Sequence, residues 1–379
     1  MSQETLYLID GSALAYRAYF AFIRNPLTTT DGRNVSAIFG FANSLLKILR
    51  EENPDHIAVV FDTPEKTFRH EQFPEYKATR EKMPDEMADQ LGDLKQMTEY
   101  MNIPVLEYPG LEADDVMGTL ANVAEEEDVR TYLVTGDKDF AQLVNDNILL
   151  YNTSGKGSDP DILNREGVKE KFGVYPEQVI DYMALMGDSS DNVPGVPGIG
   201  KKTAKKLIDK YGSLDSAIEN ADKISGKRAR EGLQEYADQA RLSKELVTIK
   251  IDAKLDENFH SLKWEGFDFE NLIEFCKQFE FYSLIDSIEE FREGGPTESK
   301  KKRYEQITDK ASLASAVQNC LKQDIVSIDL ETTAVDPMQA DIVGVAISWE
   351  SDTGVYIPVR YDDESGRGIA MDLLNQSAY

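Results

Sequence analysis

Cysteine and histidine are nearly absent from this chain, with two of the first and three of the second in 379 residues. Cys276 and Cys320 stand far apart in no metal-type spacing, which excludes a disulfide framework and a thiolate metal cluster and implies reduced thiols. His56, His70 and His260 lie in unrelated surroundings, so neither a zinc site nor a Ser-His-Asp arrangement has the residues it needs. No apolar run is long enough to span a membrane, and the chain opens on a strand-like stretch without a signal peptide. The expectation is a cytoplasmic monomer with no membrane partner. Positive charge is scarce too: 41 Lys and Arg face 69 Asp and Glu, a net charge of -28. Taken whole, that balance argues against holding a phosphate backbone. It is unevenly spread, however. Gly198 to Arg230 carries nine Lys or Arg against four Asp or Glu. An acidic body with a basic stripe suits a DNA enzyme with an acidic metal site, and salt adaptation is a second source of excess acid.

What the chain does have is carboxylates in telling places. Gly110 to Asp139 reads G-L-E-A-D-D, a helix-like run, then T-Y-L-V-T-G-D-K-D. Glu112 and Asp115 are three apart, so a helical turn puts them on one face; Asp114 lies between them. Asp137 and Asp139 follow a short apolar strand, at the end where open α/β sheets place ligand crevices. Leu6 to Asp10 and His56 to Asp62 repeat the device of a buried-type strand ending in Asp. Helical stretches alternate with these strands, which predicts an α/β fold with a mostly parallel sheet flanked by helices. Asp188 and Asp191 form a further pair in G-D-S-S-D-N. Carboxylates crowded together repel unless a cation lies between them. A donor set without His or Cys selects hard ions, Mg²⁺ or Mn²⁺. Two such ions could activate a water and stabilise the leaving oxygen in phosphodiester hydrolysis.

Two stretches look made for nucleic acid. Between Asp62 and Met87, Arg69, Lys77 and Arg80 alternate with Phe68, Phe73 and Tyr76, and Pro64, Pro74 and Pro84 break the run. Charges for phosphates and ring faces for bases suit a single strand, on a segment predicted to be mobile without DNA. Farther on, P-G-I-G opens a lysine-rich helix. Gly198, Ile199 and Gly200 let backbone approach a phosphate at a helix start, with Lys201, Lys202 and Lys205 following. Leu272, Ile273, Phe275 and Phe279 have core spacing. Residues 292–303 read as a linker, Gly- and Pro-containing and then strongly basic. Beyond it three strands are expected, at Ile325 to Leu330, Ile342 to Trp349 and Gly354 to Val359. The first holds Asp329 and Glu331 on one side.

The strings L-I-D-G-S-A-L-A-Y-R-A-Y-F, V-V-F-D, F-R-x-x-x-F-P-x-Y-K-A-x-R, E-A-D-D, T-G-D-K-D and G-D-x-S-D-N-V-P-G-V-P-G-I-G occur in this order. Over about residues 1 to 290 they resemble the flap endonuclease family, in the form of the 5' nuclease domain of bacterial DNA polymerase I. Residues 304–379 resemble the opening of that polymerase's 3'-5' proofreading domain, with D-L-E-T as its first acidic motif. The resemblance implies a PIN-like nuclease core at 1–175 with an arch at about 63–87, and a helical subdomain at 176–291 with a helix-hairpin-helix element. It further implies a truncated, RNase H-like α/β segment at 304–379, in which Asp329 and Glu331 are vestigial. By the same resemblance Asp10, Asp62, Glu112, Asp114, Asp115, Asp137, Asp139, Asp188 and Asp191 are the metal-site carboxylates for two ions, and Arg17, Lys77 and Arg80 handle the substrate phosphate. A potassium ion at the hairpin belongs to the same picture. So do DNA partners (5' flaps, nicks and duplexes with a free 5' end) and RNA primers. A non-catalytic junction binder and an RNase of the same superfamily are the alternatives.

Overall fold

The computed structural model describes residues 3–152, 160–292, 303–323, 325–334, 340–349 and 353–359. Two compact units emerge, Met1–Glu293 and Gly294–Tyr379. Apart from its two ends, the linker expected at 292–303 lies outside the described residues.

The first unit is built on a six-stranded sheet of β1 (Thr5–Asp10), β2 (His56–Val60), β3 (Val105–Leu106), β4 (Arg130–Val134), β5 (Ile148–Asn152) and β6 (Asp161–Leu163), in the order β3-β2-β1-β4-β5-β6. All neighbours are parallel except β5 and β6. β1 is central, and five consecutive residues of it are buried. Its side chains alternate between faces as a strand requires. Leu6 and Leu8 enter one core with helix Ala113–Glu126, while Tyr7 and Ile9 enter another with helices Gly11–Ala21 and Ser36–Glu52. A strand covered on both sides has to read as a continuous apolar run, and it does. Strand order reverses at β1, which opens a crevice at its carboxyl end.

The stretch set apart in the sequence as 176–291 divides between these cores. Helices Pro176–Met186, Lys201–Tyr211 and Ala237–Val247 pack into the first, and Phe269–Gln278 and Tyr282–Arg292 into the second. Leu272, Phe275 and Phe279 are buried there, as their spacing predicts.

Two of the three expected strand ends fall short of their Asp. β2 stops at Val60 and β4 at Val134. Beyond β4, the Thr135 hydroxyl donates to Asp10 Oδ2 (2.9 Å) and accepts from the Asp137 amide (3.0 Å), turning the chain off the sheet.

The second unit is a four-stranded mixed sheet of β7 (Arg303–Gln306), β8 (Ser327–Thr332), β9 (Ile342–Ser348) and β10 (Thr353–Pro358), ordered β7-β10-β9-β8, with helix Lys310–Cys320. β7 adds a fourth strand to the three expected. Its core is small, centred on Ile307, Ala316, Val355 and Ile357. Every residue of the edge strand β8 is exposed, with Ile328 at 62% and Leu330 at 50%. Among the described residues, no helix is long and apolar enough to cross a membrane.

Candidate active site

Asp10 ends β1 and caps the next helix, accepting from the Ala13 amide at 2.8 Å. It shares a cleft of about 620 Å³ with Asp62, Asp114 and Asp137, and Lys77 and Arg80 also line it. Four acids from four chain segments therefore meet at the carboxyl edge of the sheet. Asp62 is fixed by accepting from the Ala113 amide (3.0 Å), at the start of the acidic helix. Asp137 accepts from the Asp139 amide (2.9 Å).

Electrostatics mark this as a site short of positive charge. Burial, with Asp62 and Asp137 nearby, pushes Asp10 up to about 6 against the bonds from Ala13 and Thr135. Burial and then Asp137 raise Asp114 and Asp139 well above the usual carboxylate range. Oδ1 of Asp139 is buried with no hydrogen-bond partner among the described residues. Among the described residues, no three acidic, histidine or cysteine side chains are arranged to hold one ion as they stand. The donors fit a hard divalent cation by their chemistry, all oxygen and anionic, and a buried unsatisfied carboxylate oxygen calls for such a partner.

Protein cations occupy part of that role. Lys77 Nζ lies 3.0 Å from Glu112 and 3.9 Å from Asp191, and Arg80 is 2.5 Å from Asp191. Lys77 holds φ at +57°, and its amide bonds to Asp191 O at 2.9 Å. The Asn192 side-chain amide reaches back to Glu75 O at 2.7 Å. The segment predicted to be mobile is thus docked on the Asp188–Asn192 turn, because its charges find carboxylates in the protein itself. Lys138, between two acids in T-G-D-K-D, is a cation beside these acids that the sequence reading passed over. Its ammonium pairs with Asp188 at 2.6 Å. The D-K-D spacing was its only signal.

Other expected residues fall elsewhere. Asp115 is removed from the cleft, fully buried and bidentate on Arg69 at 2.7 and 2.8 Å. Glu112 and Asp115 cap each other's backbone at the start of helix Ala113–Glu126, a reciprocal box that uses their spacing for helix initiation. Glu112 is likewise engaged, by Lys77, Arg69 and the Tyr76 hydroxyl. Arg69 and Tyr76 were expected to contact DNA, yet they are 2% and 4% exposed. Tyr76 donates its hydroxyl toward Glu112 and Asp191, both at 3.2 Å, so its ring is not offered to a base. Arg17 does not line the cleft; its Nη2 lies 3.4 Å from Ser44 Oγ and its Nη1 is buried without a partner among the described residues.

In the hairpin, Gly198 needs its φ of +87°, and Gly200 caps helix Lys201–Tyr211 with both glycines exposed. Ile199 is corrected from DNA contact to core: it is 3% exposed and its amide bonds to Val196 O. Lys201 and Lys202 are exposed, whereas Lys205 pairs with Asp209 at 2.6 Å. In the second unit Asp329 and Glu331 lie exposed on β8.

A mostly parallel sheet with acids along its carboxyl edge, joined to a helical region carrying a glycine hairpin, is the α/β fold of 5' nucleases. Residues 5–173 match the family described as 5'-3' exonuclease, N-terminal resolvase-like domain, and residues 174–270 match 5'-3' exonuclease, C-terminal SAM fold. The chain belongs to the 5'-3' exonuclease family, as an enzyme domain of the DNA polymerase I type. DNA polymerase I of Bacillus subtilis is 42% identical over 289 residues, covering 76% of this chain and 32% of that protein. DNA polymerase I of Pseudomonas aeruginosa is 39% identical over 376 residues, covering 95% and 40%. The chain therefore spans two fifths or less of the length of these relatives. Among solved structures, a flap endonuclease of bacteriophage T5, in a complex with DNA and metal ions, superposes with a TM-score of 0.55 at 19% identity, over 76% of this chain and 97% of that one. That likeness concerns the fold.

Proposed function

We propose that the first unit is a structure-specific 5' nuclease, hydrolysing phosphodiester bonds at 5' flaps, nicks and free 5' ends in DNA. The observation that carries this reading is the convergence of Asp10, Asp62, Asp114 and Asp137 in one cleft beside Lys77 and Arg80. These four acids would hold two Mg²⁺ or Mn²⁺ ions, with Asp139, Asp188 and Asp191 alongside. Once bound, the ions supply an activated water and charge for the leaving oxygen. Lys77 and Arg80 receive the scissile phosphate by exchanging Asp191 and Glu112 for its oxygens. Lys138 keeps Asp188 beside the cleft. Gly198, Gly200, Lys201 and Lys202 grip duplex backbone without reading sequence, as a helix-hairpin-helix element with K⁺ at its turn. The core is PIN-like and the second unit RNase H-like. A parent polymerase is part of this proposal, supported by the relatives' names, and primer-RNA removal in replication and repair is proposed with it. The T5 complex with DNA and metal ions supports the choice of partner and cofactor.

The test is cleavage of a 5'-flap duplex in Mg²⁺. Asp137→Ala should cut turnover beyond the roughly 10–100-fold that losing a group supporting a metal ligand costs, with flap affinity retained. Full wild-type cleavage in excess chelator would overturn the metal-dependent reading.

A further inference from the structure

Arg69 stands at the base of the 63–87 segment, in the short helix Phe68–Gln72, and is 2% exposed. A guanidinium has five N–H donors in a rigid fork, and here each has an oxygen to face. Nε donates to Leu246 O at 2.9 Å. Nη2 donates to Thr248 O at 2.7 Å and to Asp115 Oδ1 at 2.8 Å. Nη1 donates to Asp115 Oδ2 at 2.7 Å and lies 3.3 Å from Glu112 Oε2. Burial works against its charge, but Asp115 and Glu112 outweigh that and raise its pKa.

These oxygens belong to the elements that carry the site. Asp115 and Glu112 begin the helix that also holds Asp114, and Asp115 Oδ1 accepts the Lys250 amide at 2.9 Å. Leu246 and Thr248 end helix Ala237–Val247, whose last carbonyls lack intrahelical partners. Ser243 and Gln239 of that helix hold Gly195 by its amide (3.0 Å) and its carbonyl (2.7 Å), closing the turn that bears Asp188 and Asp191. Seven residues beyond Arg69 in the same segment come Tyr76 and then Lys77, both reaching Glu112.

We infer that Arg69 is a positioning residue for the nuclease reaction: through Asp115 and the end of helix Ala237–Val247, it fixes Glu112 and Asp114 relative to the Asp188–Asp191 turn and to Lys77. This rests on the nuclease reading above. Lysine would keep the charge but offers one ammonium with three donors, which cannot span two carboxylate oxygens and two carbonyls together.

The experiment compares Arg69→Lys, Asp115→Asn and the double variant in the full chain. Steady-state cleavage of a 5' flap is measured beside titration of the nucleic-acid-free protein with Mn²⁺, followed by electron paramagnetic resonance. Arg69→Lys should lower kcat about 10–100-fold with KM within about twofold, and weaken Mn²⁺ binding about tenfold. The double variant should be no slower than the worse single one, since both act through one pair. A raised KM at unchanged kcat would place Arg69 on the DNA and overturn the inference. So would a lowered melting temperature with wild-type kcat and Mn²⁺ affinity, which makes Arg69 structural only. If Arg69→Lys does not fold, Asp115→Asn carries the same comparison. Failure of the wild type to cleave would strike the nuclease reading, and the Mn²⁺ titration would then decide the inference: unchanged affinity in Arg69→Lys overturns it.

Discussion

Replacing Gly195 by alanine tests how the turn bearing Asp188 and Asp191 is closed. Gly195 sits at φ +61°, and a Cβ there would lie 2.3 Å from the Gly187 amide nitrogen and 2.6 Å from the Met186 carbonyl carbon. Gly187 is itself at φ +74°, so the two glycines meet backbone to backbone. A left-handed conformation costs a residue with a Cβ about 1–2 kcal/mol. The collision adds about 1–3 kcal/mol, and no side-chain rotation relieves it because both colliding atoms are main chain. The sum is about 2–5 kcal/mol. At roughly 2–4 °C per kcal/mol for a domain of this size, the melting temperature of the first unit should fall by about 4–20 °C. Gly266→Ala is the control: its φ is +93°, but nothing lies within 4 Å of the added carbon, so only the conformational cost applies. Circular dichroism melts of both variants give the comparison. Flap cleavage below the melting temperature should also fall for Gly195→Ala, because the turn cannot close with Asp188 opposite Lys138. If Gly195→Ala melts no lower than Gly266→Ala, the contact between the two glycines is not made in solution and the reasoning fails.

Lys77→Ala should slow flap cleavage about a hundredfold, the scale for losing one preorganised donor, with less than threefold change in duplex affinity; equal loss in both would mean plain electrostatic anchoring. Neutralising Lys201 and Lys202 together should reduce the slope of log affinity against log salt by roughly 2, at about 0.9 per phosphate. Adding Lys205→Ala should change the slope little, since Asp209 already holds that side chain, and an unchanged slope in the double variant would place the duplex elsewhere. The second unit should release no label from a 3'-labelled single strand in Mg²⁺, because two acids on one exposed strand do not build a site for Mg²⁺, which demands near-octahedral geometry. A releasing activity that Asp329→Ala abolishes would refute this.

The sheet and its row of acids were legible because burial on both faces forces an apolar run, and a polar residue ending such a run has little to do except face the crevice. Long-range partnership was not legible. Arg69 beside Phe68 reads like a strand-binding pair, but its carboxylate partner is 46 residues on and one of its carbonyl partners 177. A guanidinium carries no local mark telling a phosphate from a carboxylate. The same blindness hid Lys138, whose partner Asp188 lies in another loop. Ile199 misled differently: between two glycines it resembles backbone presented to a ligand, and only the packed neighbours show an apolar side chain turned inward. β7 is a strand because β10 offers it a parallel edge from Thr353 to Tyr356, not because of a pattern in R-Y-E-Q.

The central place of β1 bears on how this enzyme comes into being. Leu6 pairs with His56 on one side and Thr131 on the other. At roughly 5–20 residues per second of synthesis, β1 waits about 6–25 s for its second neighbour, the edge that faces β4 unpaired meanwhile. Cutting ability is delayed further, since the Gly195 turn is tied down only after Ser243 is made, and Asp115 accepts the amide of Lys250. The contacts that tie the acidic turn and Asp115 in place are therefore available only once the chain has been made as far as Lys250.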